Sequence, residues 1–461
     1  LQPTLPVTFS RDNPRPTAPS FAAGNVKVAS ANVLNFFTTF TNGASVFSTA
    51  TNQGCTLGSS TSKSNCRGAD NLNEFNRQRD KIVNSLKLID ADVVGLMEIQ
   101  NNGETAVSYL VDQLNLAYGA TTYAVVPKPS FTGTDAIRVA MIYKPAKLNL
   151  SGAAITDPDP SGVNNRPPMA QTFVLPSNGG KFSLIVNHLK SKGSCPSSGE
   201  TDQGEGCWTP TRVAQAGRLV NNFIPQVQAA SGNQAVLLIG DFNSYGMEAP
   251  INLMTDAGIV NQLERYVRPQ GMPYSYVFGH AAGYLDHALA TPAMSAQVSG
   301  ASEFHNNADE PSVIDYNTDG KPQDLYVNNA YRASDHDPVT ITLNLAGTAT
   351  FTDVSGSFAI VRSAYTVNRA TLQYSGTLAI TNTSGAAING PVQIDLTNLT
   401  PGLTLVNRSG THNGAPYLTV SSGPVAAGAT VTVPVVFANP NKVAINYGTT
   451  INSGAYPAAS N

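Results

Sequence analysis

Charge is what this sequence has least of. Only 12% of its 461 residues are Asp, Glu, Lys or Arg, against about 25% in an ordinary soluble domain. Gly, Ser, Thr, Asn and Pro fill the gap, a composition of many turns and short strands. No apolar run approaches the ~20 residues of a membrane-spanning helix, so no membrane span is expected. Strong positive charge is missing too. Two carboxylates against four cations after Thr350 give +2, which leaves −5 for residues 1–350. Neither part has the basic footprint of a tight nucleic-acid-binding module. An enzyme that holds phosphate through a metal and a few local cations remains compatible with it. Two motifs are also absent. Without GxSxG there is no serine-nucleophile turn, and without GxxxxGK[ST] there is no phosphate-cradling loop for nucleotide-driven work.

Cysteine is scarce and paired in sequence: Cys55 with Cys66, and Cys195 with Cys207. Four cysteines allow three connectivities. Both segments, "GCTLGSSTSKSNCRG" and "GSCPSSGETDQGEGCW", are Gly/Ser-rich and have little to bury. Local bridges close each loop at low entropic cost. Zinc is the competing reading, but neither loop has CxxC spacing or a nearby histidine. Two disulfides, Cys55–Cys66 and Cys195–Cys207, are therefore expected, and with them an oxidising compartment.

The length calls for two domains. Residues 1–24 read as a short strand and a Pro-rich arm. "NVKVASANVLNFF" (25–37) is a buried strand. "FNRQRDKIVNSLKLIDADVVGLMEIQ" (75–100) opens as an amphipathic helix with Ile82, Val83, Leu86 and Ile89 on one face, and a strand follows. Further strands are expected at 136–145, 181–191, 235–243 and 338–345, and a second helix within 212–230. Helices are too few for one per strand, so the fold class expected is α+β, a two-layer mixed β-sheet sandwich flanked by helices over 25–345. A small-residue linker (346–352) leads to short alternating runs such as "TLAITNTS" and "TVTVPVVF". Residues 353–461 read as an all-β, immunoglobulin-like sandwich.

Polar residues recur where apolar strands run out: Asn32, Glu98, His188, Asp241 with Asn243, Asp286, and Asp335 with His336. Such an ending is costly unless the group reaches water, a partner or a metal. The segments "ANVLNFF", "VVGLMEIQ", "LIVNHLKSK", "LLIGDFNSY", "GYLDHAL" and "ASDHDPV", in that order, resemble the endonuclease/exonuclease/phosphatase superfamily, which has the fold of pancreatic-type deoxyribonuclease. The resemblance spans roughly residues 25–345. "GTDAIRVAMIYKP", "NNRPPMAQTF", the cysteine loop after "NHLKSKG" and "YSYVF" are closer to its secreted bacterial nucleases. Those relatives often carry extra N-terminal modules that are not present in this sequence.

The resemblance implies roles. Glu98, assisted by Asn32, binds a hard divalent cation, Mg²⁺ with Mn²⁺ or Ca²⁺ as alternatives, and Asp335 completes the metal or water network. Asp241 polarises the attacking water and Asn243 donates to a phosphoryl oxygen. His336 contacts the phosphate and shuttles a proton, with Asp286 fixing its tautomer. His188 protonates the leaving oxygen, Asp135 orients His188, and Arg166 grips phosphate through two nitrogens at once. His287 points to the opposite face, His280 and His305 are loop residues, and Asp337 ends the turn before Pro338. The expectation is a secreted monomeric nuclease, extracellular with the periplasm as alternative. Its substrate is DNA, with RNA as a second polymer. A phosphatase or phosphodiesterase of small esters or phospholipid head groups is the alternative, and a non-enzymatic surface-binding protein a third. Leu1 rather than Met opens the chain, as in a processed form. The C-terminal domain is expected to attach to a surface or polymer, with Tyr374 and Tyr417 as contacts.

Overall fold

The computed structural model describes residues 15–51, 54–57, 60–347, 351–412 and 414–454. The expected arm up to residue 14, linker residues 348–350 and the last seven residues lie outside that range. The chain divides into two compact units, Leu1–Leu175 with Lys181–Leu345, and Pro176–Gly180 with Ala346–Asn461. Among the described residues, no helix is long and apolar enough to cross a membrane.

The strands of the first unit are β1 (Val26–Phe36), β2 (Cys55–Leu57), β3 (Ser60–Ser62), β4 (Val93–Gln100), β5 (Ala124–Val125), β6 (Ile137–Tyr143), β7 (Asn149–Thr156) and β8 (Met169–Leu175). They continue with β9 (Gly180–His188), β10 (Val236–Asp241), β11 (Val260–Asn261), β12 (Tyr276–Phe278), β13 (Ala281–Gly283), β14 (Asp286–Ala290), β15 (Val298–Glu303) and β16 (Val339–Leu343). Two six-stranded mixed sheets result, in the orders β15-β16-β1-β4-β6-β5 and β11-β14-β10-β9-β8-β7. The α+β sandwich read from the sequence is the fold found.

Strand parity explains the layering. Val26, Val28 and Val93 of one sheet pack against Leu184, Val186, Leu237 and Ile239 of the other, between the sheets. The alternate residues Ala29, Ala31, Val94 and Leu96 face helices α1 (Leu72–Ile89) and α2 (Thr105–Tyr118). On the second sheet Ile185, Val236 and Leu238 face α3 (Thr209–Arg218), α4 (Ile224–Ser231) and α5 (Ala249–Asp256). Strands buried on both faces read as nearly continuous apolar runs, which is how they stand in the sequence. Gly95 permits the close approach of the sheets, since a Cβ there would meet Val186 and Ile239 side chains at 2.6 and 2.7 Å.

Helix α1 begins at Leu72, three residues before the expected start, because the Asn71 side chain accepts from the Asn73 and Glu74 N–H groups. Its predicted apolar face, Ile82 to Ile89, is buried, about 1.5–3 kcal/mol for each large side chain. The second expected helix is two helices joined by a π turn at Leu219–Phe223. Pro225 has no N–H to give the preceding turn, and the widened turn absorbs that loss.

The second unit is all-β. One sheet joins Thr352–Asp353, Gly448–Ser453, Val392–Thr397, Ala415–Ser421 and Gly410–His412. The other joins Phe358–Arg362, Gln373–Asn382, Thr430–Ala438 and Thr404–Leu405, with Thr366–Asn368 paired to Gln373–Asn382. Leu378, Ile380, Val435 and Phe437 of one meet Val392, Ile394 and Leu418 of the other in a shared core.

At the end of β15, buried Glu303 accepts from the Tyr274 N–H, and its other oxygen has no protein partner. Burial first, then Asp337 and Asp286, push its carboxyl from an ordinary 4.5 up to about 9. A carboxyl raised in the folded state contributes its stability as the neutral acid. That contribution is complete below about pH 4.5 and is lost as pH rises toward 9. Thermal unfolding of the wild type should therefore weaken between about pH 5 and 9 relative to Glu303→Gln, which cannot ionise. Parallel melting profiles of the two proteins across that range would refute it.

Candidate active site

Register brings three of the expected residues into one row. Asp241, the last residue of β10, pairs with His188 of β9 on one side and Asp286 of β14 on the other. All three continue the parity of core residues such as Val186, Ile239 and Ala288. The apolar filling between the sheets therefore ends in this polar row. His287, one residue on, faces the other way and bonds the Ser244 carbonyl through Nε2 at 2.8 Å. Before Asp241 the chain needs Gly240, whose φ is +132° and where a Cβ would lie 2.0 Å from the Asn187 carbonyl oxygen.

Glu98 reaches the same place from the other sheet by a bulge. On a regular strand it would share parity with Val94 and Leu96 and face α1. Instead β4 shifts register against β6 between Leu96 and Ile99, and Glu98 takes φ 66°. The extra residue turns the side chain into the cavity. There Glu98 accepts from the Asn35 N–H at 2.8 Å and the Asn32 amide at 3.2 Å. Leu34, Asn35 and Asn243 also have positive φ, so backbone strain gathers round the site.

The third contributor is the loop before β16. Asp337 accepts from the Asn307 and Ala308 N–H groups and pairs with His305, while its own N–H bonds Ser275. Lys81, buried on α1, donates to the Tyr331 carbonyl. With the loop fixed at both ends, Asp335 and His336 face a cavity of about 550 Å³ whose walls include Glu98, Arg166, His188, Asp241 and Asn243. A second hollow of about 490 Å³ has one imidazole, His305, and no carboxylate in its wall.

His336 Nδ1 lies 2.6 Å from Asp286 Oδ2, which also accepts from Ser275 Oγ at 2.7 Å. Asp241 Oδ2 lies 3.5 Å from His188 Nε2 and 3.9 Å from His336 Nε2. Burial lowers the affinity of His336 for a proton, but Asp286, Asp241 and Asp335 outweigh it and hold the imidazole well above its usual range. Burial, Arg166 and His336 hold His188 well below it. Burial, together with Asp286 and Glu98, pushes Asp241 up to about 7 against the pull of His336. Glu98 keeps part of its surface open to the cavity, yet burial and then Asp335 raise its carboxyl. Two carboxylates that repel each other at a polar cavity wall are a fitting pair of hard oxygen donors for a divalent cation.

The structure brings Glu98, Arg166, His188, Asp241, Asn243, Asp335 and His336 to one cavity wall, with Asn32 and Asp286 bonded behind Glu98 and His336. Three expectations change. Asn32 has its Oδ1 turned to the Leu34 N–H and its amide nitrogen to Glu98, so it orients Glu98. Asp135 does not orient His188, whose Nδ1 has no protein partner. Its carboxylate takes the Asn165 amide at 3.1 Å and faces the guanidinium groups of Arg67 and Arg166 at 3.5 and 3.8 Å. Arg166 has part of its fork already taken, because Nε and Nη2 each donate a hydrogen to the His188 and Leu189 carbonyls, which leaves Nη1 and the second Nη2 hydrogen for a phosphate. Asn243 likewise gives one amide hydrogen to the Leu189 carbonyl. Both expected disulfides are present.

The sequence reading missed Arg67, Lys192, Tyr245, Tyr276 and Phe278 in the cavity wall, and Ser275 behind it. Position next to a cysteine is the one signal that pointed to Arg67, which follows Cys66. Among the described residues, a separate group of carboxylates, Asp70, Glu74 and Asp319, has ligand atoms within 4.8 Å of one another, outside the cavity.

Two packed sheets thus deliver carboxylates and imidazoles from their strand ends to one cavity, an arrangement that suits the family the sequence resembles, whose members hydrolyse phosphoester bonds. The endonuclease/exonuclease/phosphatase family model matches residues 30–336, more than half of the chain, and the protein belongs to that family. The family generally uses a divalent metal. Similar solved structures include a humanized D. rerio TDP2 carrying 14 mutations, at 14% identity and TM-score 0.43, covering 69% of this chain and 98% of that one. Others are a Bacteroides thetaiotaomicron mannosyl-6-phosphatase (14%, 0.41, 69% and 99%) and the human Nocturnin catalytic domain (15%, 0.40, 68% and 93%). No curated protein matches the sequence.

Asp286→Asn keeps the size of the side chain but removes the charge that holds His336. Turnover should fall roughly 10²-fold, the scale of a lost general acid or base, with thermal unfolding little changed. Turnover near that of the wild type would show that the pair is only structural.

Proposed function

We propose that the protein is a secreted, Mg²⁺-dependent nuclease that hydrolyses phosphodiester bonds of DNA, and of RNA as a second polymer. The observation that carries this reading is Asp241 set between two imidazoles of opposite character, with one of them, His336, backed by Asp286. Asp241 takes the proton of the attacking water, at an affinity suited to a base near neutral pH. His336 holds a phosphoryl oxygen and gives up a proton as the bond to the leaving oxygen breaks. His188, neutral in the free protein, is in this reading not the proton donor expected from the sequence and instead positions the water or the leaving group. A divalent cation held by Glu98 and Asp335 would neutralise charge developing on the phosphoryl oxygens. No covalent intermediate is needed.

Arg67 supports a polymeric substrate, since it places a partly exposed guanidinium in the cavity wall, whereas Lys192 is already paired with Glu248. The two disulfides support secretion. A small phosphate ester is the second reading, favoured by the −5 balance of residues 1–350. The C-terminal unit, which we read as immunoglobulin-like, would serve attachment to a surface or polymer.

Plasmid DNA should be cut with Mg²⁺ and spared with EDTA, and Glu98→Gln should lose at least about 10² of the rate. Hydrolysis of p-nitrophenyl phosphate alone would replace the nuclease reading with the small-ester one. Every residue of the cavity wall belongs to the first unit. A chain ending at Gly347 should therefore keep the turnover of the full chain. A folded but inactive truncated chain would show that the second unit contributes to catalysis.

A further inference from the structure

Strands β12 and β13 pair only with each other, as a hairpin apart from both large sheets. Tyr276 and Phe278, at i and i+2 on β12, project to the same face. Their rings lie 6.5 Å apart and only 10° from parallel. The Tyr276 ring also lies 4.7 Å from the His336 imidazole, tilted by 34°. Tyr276 thus contacts both the His336 imidazole and the Phe278 ring. His336 is buried, while Phe278 is 71% exposed. Both aromatic residues are part of the cavity wall that holds Glu98 and Asp335.

An exposed phenyl ring gains little from the fold. Next to Tyr276, which itself contacts His336, it offers a flat apolar face near the group that holds the phosphate. A nucleotide chain presents a complementary group there, because each phosphate is flanked through a sugar by a planar base. A sugar phosphate has no such face. Resting on the nuclease reading above, we propose that Tyr276 and Phe278 form a base-stacking subsite for the nucleoside flanking the scissile phosphate. Stacking on a ring is tolerant of sequence, since every base has a π face. The subsite would therefore raise affinity for unpaired strands without selecting a base.

The test compares a single-stranded DNA oligonucleotide with an oligomer of abasic tetrahydrofuran phosphate units of equal length, under Mg²⁺. The readout is the ratio of kcat/KM on the two substrates. Phe278→Ala should lower that ratio about tenfold, within the range that loss of one stacked base produces. Phe278→Trp should keep it near that of the wild type. An unchanged ratio in Phe278→Ala, with DNA still cut, overturns the subsite and leaves the nuclease reading standing. A wild-type protein that hydrolyses small esters and neither oligomer overturns the nuclease reading and the subsite together.

Discussion

Four carboxylates, Glu98, Asp241, Asp286 and Asp335, are crowded round one end of the sheet sandwich, and the local structure is arranged to make that tolerable. Taking an ion out of water costs several kcal/mol even after the protein relaxes, so each charge must be met by donors. Glu98 takes a backbone N–H and an amide, Asp241 takes the Asn243 N–H, and Asp286 takes a hydroxyl and an imidazole. These donors do not fully compensate. Glu98 and Asp241 both stay above the ordinary carboxylate range. That residual misfit is what a divalent cation and a transferable proton can relieve.

The two imidazoles show how one environment yields two opposite groups. His336 has Asp286 bonded to Nδ1 and two more carboxylates near it, so it holds a proton in spite of burial. His188 sits with Arg166 behind it and an unpartnered Nδ1, so burial prevails and it stays neutral. Asp241 lies between them. Proton direction is thus set by which carboxylates each ring touches, and it needs no difference in exposure, since both rings are buried.

Much of this was legible in the sequence because strand parity and polarity are local properties. The runs ending in His188 and Asp241 could be read as strands, and their ends as sites, without knowing their neighbours, while Asp286 was marked as a site residue without its strand, which it opens. The partners of Asp135 could not be read, since Arg67, Asn165 and Arg166 come from other segments of the chain, and Ser275 reaches Asp286 only through the fold of the β12–β13 hairpin. Glu98 was found for an incomplete reason. Its position after an apolar run marked it, but regular parity would turn it toward α1, and only the bulge at φ 66° brings it to the cavity. Arg166 was placed correctly and given too much freedom. A buried guanidinium must satisfy its N–H groups, and here the His188 and Leu189 carbonyls take two of them before any substrate arrives. The π turn ahead of Pro225 and the aromatic pair on β12 likewise depend on tertiary packing.

Part of the cavity wall is built without a hydrophobic core. Residues 191–207 are Gly- and Ser-rich, yet Ser191, Lys192, Gly193, Cys195, Asp202, Gly206 and Cys207 all face the cavity. Closing a loop of 12 residues by a disulfide is worth about 3 kcal/mol in the chain-entropy model. Arg212, fully buried on α3, then donates to the carbonyls of Lys190, Glu205 and Cys207. The Trp208 indole donates to Gly193 and Ser194. Covalent closure limits what the free loop can do, and one guanidinium collects the carbonyls that a sheet would otherwise pair. A segment too polar to bury can in this way form an ordered part of the cavity wall. The low charge of the sequence follows from the same economy, since most of the ordering is done by backbone groups.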